Sequence, residues 1–342
     1  MAGRNLGKLD GAATVLNVPW LTYMYVRKEA VLSSQIEGTQ SSLTNLLLHE
    51  SDQQPGVALD DVEEVVAYVA AMDHGLKRIR SGFPISNRLI REMHRILLTT
   101  GRGSGKQPGE FRRSQNWIGG VRPGNAHFVP PPPGRVDDCM SDLERFIHDE
   151  PQRTPPLLKS ALTHLQFETI HPFLDGNGRI GRLLITLILY DEGALPEPIL
   201  YLSLYFKQNR QEYYELLDGV RSEGDWESWV RFFLQGVSET SAQANQAARR
   251  IRDLLEEDEE QIIQLDRIAG SAIQIHRVLK RRPILSIGEA SEASGLSFQT
   301  ALDMLEQLVS MDIAEEITGR QRGRRYAYRE YLSILEEGTE PL

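Results

Sequence analysis

The sequence predicts an all-α fold that carries one short β-hairpin flap and ends in a winged helix-turn-helix. Apolar residues recur at helical spacing through most of the 342 residues, whereas residues 100–134 are rich in Gly and Pro. The β-like stretches of that segment, residues 116–121 and 127–129, flank a turn and predict the hairpin. After residue 269, two helices, a turn, a third helix and two strand-like pieces follow in the order of a winged helix-turn-helix.

Four regions are predicted along the chain, because 342 residues are too many for one compact helical core. They are an N-terminal helical region at 1–80, a core at 81–236, a helical connector at 237–268 and the winged-helix region at 269–342. The acidic run of the connector, residues 254–260, is expected to be a solvated helix face. The helices predicted before the connector cover residues 21–48 with a break at Gly38, 59–80, 86–98, 137–148, 155–170, 177–190, 205–219 and 225–236.

The composition is ordinary for a soluble globular protein, with 25% charged and 40% hydrophobic residues. The formal net charge of -10 argues against a general nucleic-acid binder. Cys139 is the one cysteine, which excludes an intrachain disulfide and a thiolate metal cluster. The longest apolar run, residues 183–190, is too short to span a bilayer, and the N-terminus lacks the apolar core of a secretory signal. We therefore expect a cytoplasmic protein that does not associate with membranes.

The first candidate catalytic residue is His171, which precedes a proline at the end of a predicted helix. Because proline cannot continue a helix, we expect His171 to be exposed at the helix C-terminus, with Phe173 packed beneath it. An imidazole that titrates near neutral pH suits a general base acting on a hydroxyl. A lone histidine at this position more often just satisfies the helix end, so the catalytic interpretation depends on the residues that follow.

Those residues, Asp175-Gly176-Asn177-Gly178, lead into the next predicted helix and form an anion site. Glycines there let backbone N–H groups approach an anion at the positive end of the helix dipole. Arg179 and Arg182 are three residues apart on that helix and are expected to reach the same side, where guanidinium groups suit phosphate. Asp175 can offer an oxygen to Mg²⁺, which commonly shares its coordination with substrate phosphates.

Together, residues 171–182 resemble the signature of the Fic family, HPFx(D/E)GN(G/K)RxxR, at every fixed position. Members of that family transfer AMP from ATP to Ser, Thr or Tyr hydroxyl groups of proteins. The resemblance implies that His171 deprotonates the target hydroxyl and that Asp175 holds Mg²⁺. It also implies that residues 176–178 bind the phosphates, with Arg182 on the γ-phosphate and Arg179 supporting the same anion. ATP and hydroxyl-bearing proteins, including the chain itself, are the implied substrates.

Similarity to the family continues outside the signature, at residues 108–112, 128–131 and 209–214. The flap would pair with an extended target segment by strand addition, a mode compatible with many targets. Its candidate docking residues are Ile118, Gly119, Gly120, Val121, Phe128 and Val129. Candidates for the adenine pocket are Tyr213 and Tyr214, with ordinary core tyrosines as the alternative. Asn209 is a further nucleotide-binding candidate, with helix N-capping as the alternative.

Far upstream, Ser33 and Glu37 are four residues apart and share a helix face that ends at Gly38. A plain surface glutamate is the alternative, but the segment resembles the inhibitory motif (S/T)xxxE(G/N) of Fic proteins that carry their own N-terminal inhibitor. The resemblance implies that Glu37 pairs with Arg182 and occupies the γ-phosphate position. It also leaves open that the same glutamate aligns a water for removing AMP from modified proteins.

The winged-helix region suggests a competing hypothesis, a DNA-binding regulator in which the core senses nucleotide. Its presumed recognition helix, residues 297–311, carries Asp303 and Glu306 and no Lys or Arg, so base reading is not favoured. The basic segment at residues 320–325 could contact phosphates or a protein partner. Target recruitment and homodimer formation are therefore favoured over DNA binding.

Overall fold

The computed structural model describes residues 2–3, 6–7, 19–51, 57–101 and 103–341. The helices are numbered from the one that begins at Pro19. They are α1 (Pro19–Ile36), α2 (Leu43–Glu50), α3 (Leu59–Arg80), α4 (Asn87–Leu97), α5 (Val136–Ile147), α6 (Pro156–Ile170), α7 (Asn177–Asp191), α8 (Ser203–Gln208), α9 (Arg210–Glu223), α10 (Trp226–Ile263), α11 (Ala269–Arg281), α12 (Ile287–Ser294), α13 (Phe298–Ser310) and α14 (Arg329–Glu336). The fold is mostly helical, and the predicted break at Gly38 coincides with its φ of +99°, which ends α1.

At the centre of the molecule, α6 and α7 pack along each other, and nearly every residue of α7 up to Leu189 is buried. Helix α1 lies between the two hydrophobic clusters of the core. Val26, Ala30 and Val31 join the cluster of α3, α4, α5 and α7, whereas Leu32 and Ile36 join a second cluster. That second cluster also contains α8, α9, α10 and the apolar residues of the C-terminal region. The C-terminal region therefore shares its apolar core with the helix that carries Ser33 and Glu37.

Helix α10 runs through the predicted boundary between the core and the helical connector. The boundary at residues 236 and 237 falls inside this helix, which continues to Ile263 because apolar side chains recur at helical spacing past residue 237 and are buried. The solvated face expected for the acidic run was wrong in part. Asp258 is buried and accepts a hydrogen bond from the Tyr328 hydroxyl, and Glu259 pairs with Lys280. This part of α10 packs against the C-terminal region.

The C-terminal region contains α11 to α14 and a three-stranded antiparallel sheet in the order β1-β3-β2. Strand β1 (Ile284–Ser286) lies between α11 and α12 and was not among the predicted elements. Strands β2 (Glu315–Glu316) and β3 (Arg325–Ala327) lie on either side of the turn where the two strand-like pieces were predicted. Helix α12 starts with a capping box, in which the Ser286 hydroxyl accepts from the Glu289 backbone N–H and the Ser286 backbone N–H donates to the Glu289 carboxylate.

The segment of the predicted flap is held by one antiparallel bridge, between Ile118 and Phe128. The Ile118 backbone N–H donates to the Phe128 carbonyl over 2.9 Å, and the His127 N–H donates to the Ile118 carbonyl over 2.9 Å. Gly119 and Gly120 both have φ of +68°, which lets the chain turn directly after the bridge. The exposed Val121 follows this turn. Among the helices of the described residues, none is long and apolar enough to cross a bilayer.

Candidate active site

The loop between α6 and α7 carries His171 and is held by hydrogen bonds from Arg112. His171 ends α6 in the left-handed conformation, with φ of +49°. The buried Arg112 side chain donates to the His171 carbonyl over 2.9 Å and to the Ile170 carbonyl over 3.3 Å, while its backbone N–H donates to the Pro172 carbonyl over 2.8 Å. A guanidinium therefore satisfies the carbonyl end of the helix, where a positive charge is favourable.

The Asn177 side chain also holds this loop, rather than being left for a ligand. Its oxygen accepts from the Phe173 backbone N–H and its nitrogen donates to the Phe173 carbonyl, both over 2.9 Å. Asn116 donates to the same carbonyl over 3.0 Å. The phosphate role expected for Asn177 is therefore left to its backbone N–H, which stands at the first position of α7 and lacks an acceptor within the helix.

His94 is a residue of the site that the sequence did not reveal. Its Nδ1 accepts from the Gly109 N–H over 2.8 Å, so its Nε2 donates to the Asp175 carbonyl over 2.9 Å, and its ring stacks on Phe173 at 3.6 Å. Burial lowers the pKa of His94 to about 4 and keeps the imidazole neutral. Because it lies on the apolar face of α4, its sequence context suggests a core residue. The fixed tautomer anchors the loop that carries Asp175.

The imidazole of His171 is half-buried, with 20% of the side chain exposed, so the expectation of an exposed histidine was wrong. Phe173, expected beneath it, stacks on His94 because the turn after Pro172 directs its ring into the core. Burial and the charge of Arg221 together lower the pKa of His171 to about 4, although the Glu168 backbone and the charge of Glu37 act in the opposite direction. His171 is neutral at pH 7 and can accept a proton.

Glu168 is a second carboxylate beside His171 that the sequence analysis missed. It is buried one turn before His171, with its Oε2 3.9 Å from His171 Nδ1. Burial raises the pKa of Glu168 to about 7 in spite of the positive charge of Arg182. A Cβ on Gly181 would lie 2.6 Å from Glu168 Oε1, so the glycine at that position makes room for the carboxylate.

At the start of α7, where an anion site was expected, Gly176 and Gly178 are positions that favour glycine, the first by its backbone conformation and the second by lack of space. Gly176 precedes the first turn with φ of +76°, a conformation that favours glycine. A Cβ on Gly178 would lie 2.2 Å from Glu37 Oε1, well inside contact distance. Glycine at position 178 is therefore needed for the Glu37 carboxylate to reach the helix start, the place where a phosphate would bind.

Arg182 donates three hydrogen bonds to residues at the end of α1. Its Nη2 donates to Glu37 Oε1 over 2.6 Å and to the Ser33 carbonyl over 3.0 Å, and its Nε donates to Ser33 Oγ over 2.8 Å. Burial raises the pKa of the Glu37 carboxyl, but the charge and hydrogen bond of Arg182, together with the charge of Arg179, lower it by more, so the net shift is downward. Arg182 in turn has a raised pKa, because Glu37 outweighs its burial. Both partners are ionised at neutral pH.

Arg179 has a different partner from Arg182, although both were expected to serve the same anion. Its Nη1 donates to Glu64 Oε2 of α3 over 3.2 Å, and its Nη2 lies 3.8 Å from Asp175 Oδ1. Side chains three residues apart on a helix point about 60° away from each other, and this offset directs the two guanidiniums to carboxylates of different segments. Glu64 did not stand out in the sequence because it belongs to an acidic stretch with Asp60, Asp61 and Glu63.

Asp175 is the candidate metal ligand, and its surroundings fit an ion that phosphates help to hold. Its side chain is 40% exposed, and Oδ1 accepts from the Gly176 backbone N–H over 2.6 Å. Among the described residues, no group of three or more His, Cys, Asp or Glu side chains could hold a metal ion. One carboxylate with phosphates and water is a usual coordination for Mg²⁺, so the donor set suits that ion together with a nucleotide.

The candidate adenine-pocket residues lie in different environments. Tyr213 is buried and its hydroxyl shares a hydrogen bond of 2.8 Å with His164 Nε2, as expected for a core tyrosine. Tyr214 is partly exposed, with its ring centroid 5.0 Å from that of Tyr213. Asn209 precedes α9 but donates to the Tyr205 carbonyl over 3.0 Å and makes no side-chain cap. Tyr214 is the one of the three with an aromatic surface open to a ligand.

Comparison with known proteins gives the family of this site. Residues 84–189 match the Fic/DOC family model, and residues 1–77 match the model of the Fic/DOC family N-terminal region. Over 208 residues the chain is 33% identical to protein adenylyltransferase Fic of Drosophila yakuba, which covers 60% of this chain and 39% of that protein. The chain therefore contains a Fic/DOC family domain, and it spans well under half the length of this curated relative.

Solved structures agree with this at the level of the fold. A Fic family protein from Desulfovibrio desulfuricans G20 matches with a TM-score of 0.61 and 21% identity, over 96% of this chain and 94% of that one. Fic-1 from C. elegans matches with a TM-score of 0.53 and 24% identity, over 73% of this chain and 72% of that one. The first of these matches extends over nearly the whole chain, including the C-terminal region.

Proposed function

We propose that this protein transfers AMP from ATP to hydroxyl groups of protein side chains, and that Glu37 inhibits the transfer by binding Arg182. The observation that carries the proposal is the pairing of Arg182 with Glu37 at 2.6 Å, at the start of the helix that follows a neutral His171. The name of the relatives, protein adenylyltransferase, gives the same reaction class.

In the proposed reaction, His171 accepts the proton of the target hydroxyl while that oxygen attacks the α-phosphorus of ATP. The bond from the α-phosphorus to the bridging oxygen breaks, and pyrophosphate leaves with the electron pair. Backbone N–H groups of Asn177 and Gly178 bind the phosphates at the positive end of α7, and Arg182 binds the terminal phosphate. A magnesium ion held by Asp175 and the phosphates would supply neutralisation of the charge on the leaving group.

Inhibition follows from competition for Arg182. The Glu37 carboxylate neutralises the Arg182 guanidinium and lies against Gly178 at the start of α7, so it repels the terminal phosphate and takes up its space. ATP that lacks this anchor presents its α-phosphorus poorly to the acceptor, and positioning is most of the catalysis in phosphoryl transfer. The resting protein is therefore expected to be largely inactive.

The segment from Ile118 to Val129 is proposed to dock the target protein as an added strand. The bridge between Ile118 and Phe128 is short, and the side chains of Trp117, Val121 and Val129 expose apolar surface next to it. Backbone pairing would bring an extended target segment near His171 without reading its sequence.

We also propose that residues 269–341 form a winged helix that packs on its own chain rather than on DNA. Arg324 in the presumed wing pairs with Glu306 at 2.9 Å, and Arg325 contacts Glu289 and the Ser51 carbonyl. These pairings leave less positive charge for phosphates than the sequence alone suggests.

The test of the reaction is label transfer by the purified Glu37→Gly form to itself and to the proteins of a cell lysate whose own kinases have been inactivated by heat. Label on the α-phosphate of ATP should appear on proteins, whereas label on the γ-phosphate should not, and mass spectrometry should find AMP on Ser, Thr or Tyr. The matched control is Glu37→Gly combined with His171→Ala, for which transfer should fall by about 10²- to 10⁴-fold. Transfer of the γ-label, or full activity without His171, would contradict the proposal.

A further inference from the structure

The last residues of the chain occupy a cleft between α1 and α8. Helix α14 ends at Glu336, and the segment of residues 336–340, the C-terminal tail, continues across the core. Thr339 is buried, and Gly338 has φ of +81° with Leu204 so close that a Cβ there would lie 2.6 Å from it. The tail is thus fitted to this cleft at a position that only glycine satisfies.

Three buried polar side chains of the cleft bind the backbone of the tail. Lys28 Nζ donates to the Glu337 carbonyl over 2.8 Å, and Gln35 Nε2 donates to the Thr339 carbonyl over 2.7 Å. Lys207 Nζ donates to the Gly338 carbonyl over 3.2 Å and to the carbonyl of residue 340. The contacts are made to carbonyl oxygens along successive residues, which is how a peptide is bound as a backbone.

The charges of the tail and the cleft are complementary. Lys28 and Lys207 are 3% and 7% exposed, so their ammonium groups need acceptors that replace water. The tail supplies carbonyl oxygens and carries Glu336, Glu337 and Glu340 beside them. A buried ammonium without such partners is costly, so the cleft is built for an acidic peptide.

The tail and the cleft side chains also make hydrogen bonds to residues before and after Gly38, where the chain breaks between α1 and α2. Gln35 lies two residues before Glu37, and its Nε2 also donates to the Ser41 carbonyl over 2.9 Å. Lys207 donates to Gln35 Oε1 over 2.7 Å, and the Glu336 carboxylate accepts from the Thr44 backbone N–H over 2.9 Å. The tail therefore fixes the last turn of α1 and the first turn of α2, which bracket the inhibitory glutamate.

We infer that this cleft is a peptide-binding site whose resident ligand is the chain's own acidic C-terminal tail, and that its occupation holds Glu37 on Arg182. The regulatory half of this inference rests on the proposed inhibition by Glu37, whereas the binding half does not. When the tail leaves, α1 loses the partners of Lys28 and Gln35 and its last turn is released. A ligand or partner that draws the C-terminal region away would thereby activate the enzyme.

The test uses Gly338→Val in the full chain, since a branched side chain at this φ cannot fit against Leu204. Gly319→Val is the matched control, because Gly319 has φ of +60° in the same region but open space around it. AMP transfer should rise by about fivefold or more in Gly338→Val and not in the control, within the usual range of coupling between sites. Combined with Glu37→Gly, Gly338→Val should give no further rise.

A second measurement tests binding directly. A fluorescent peptide with the sequence of residues 334–342, ILEEGTEPL, should bind Gly338→Val, should not bind the parent chain, and should restore inhibition of the variant. If Gly338→Val does not fold, Gly338→Ala takes its place, because its single methyl group still meets Leu204 at this φ and every side chain of the cleft that binds the peptide is kept. Peptide binding without any change in transfer, while Glu37→Gly does activate, overturns the regulatory inference. If Glu37→Gly itself has no effect, the proposed inhibition fails, and peptide binding still decides whether the cleft is a site.

Discussion

The two arginines of α7 make ion pairs that differ in where their carboxylates come from. Arg179 pairs with Glu64, which lies within α3, and both side chains are 5% exposed. Arg182 pairs with Glu37, which follows the last residue of α1, and the Glu37 side chain is 36% exposed although Arg182 is buried. Both pairs connect α7 to the N-terminal helices, but only one of them involves a residue at the end of an element.

This difference separates a structural pair from a pair that can open. Glu64 lies inside α3 with its side chain buried against Arg179, so the carboxylate has no local route to water, and losing one member of a buried pair is costly. A carboxylate beside Gly38, whose φ is +99°, can turn away by local motion at the helix end and reach water. We therefore propose that the Arg179 pair stabilises the fold and that Arg182 is the arginine that becomes available to nucleotide.

The largest expected effect is that of Glu64→Ala on stability. The change leaves Arg179 buried with its Glu64 partner removed, so the free energy of unfolding should fall by about 3–5 kcal/mol. Chemical denaturation of the purified protein would measure it. Glu63→Ala, a change of the neighbouring and less buried glutamate, is the control and should stay within about 0.5 kcal/mol. Equal losses in the two variants would mean that the Arg179 pair is not structural.

A smaller effect is expected for Ser33→Ala. Ser33 Oγ accepts from Arg182 Nε over 2.8 Å, whereas its backbone carbonyl would keep the other contact. Loss of one hydrogen bond worth about 1 kcal/mol should weaken the binding of Arg182 to the end of α1 and raise AMP transfer about fivefold. The matched control is Ser34→Ala, the same change one residue along α1. A transfer rate that falls, or that rises equally in the control, would mean that the Ser33 hydroxyl does not contribute to inhibition.

Much of this site could be predicted from the sequence, because its chemistry lies in one continuous stretch. Residues 171–182 identify the family on their own, and the pairing of Glu37 with Arg182 was expected from a second short motif. Glu64 and His94 could not be found in this way, since each lies in an ordinary amphipathic helix and its role depends on which face the fold buries. The chemistry is local, whereas the groups that hold it in place come from distant helices.

The fold shows the same division. The break at Gly38 and most helices, including the helical connector after residue 237, follow from local patterns. That the connector continues the preceding helix without a break, as α10, was not predicted. Likewise, the acidic residues at 258, 336 and 337 look like solvated charges in the sequence. In the structure they contact Tyr328, Thr44 and Arg250, partners up to 292 residues away.

In this account the Arg179–Glu64 pair stabilises the fold, whereas the Arg182–Glu37 pair inhibits AMP transfer. The most direct test compares Glu37→Gln with Glu64→Gln in one experiment that measures AMP transfer and thermal unfolding. Glutamine keeps the size of each side chain and removes its charge. Glu37→Gln should raise transfer by about tenfold or more with little change in Tm, whereas Glu64→Gln should lower Tm without raising transfer. Transfer that is unchanged by Glu37→Gln, or raised equally by both variants, would contradict the account.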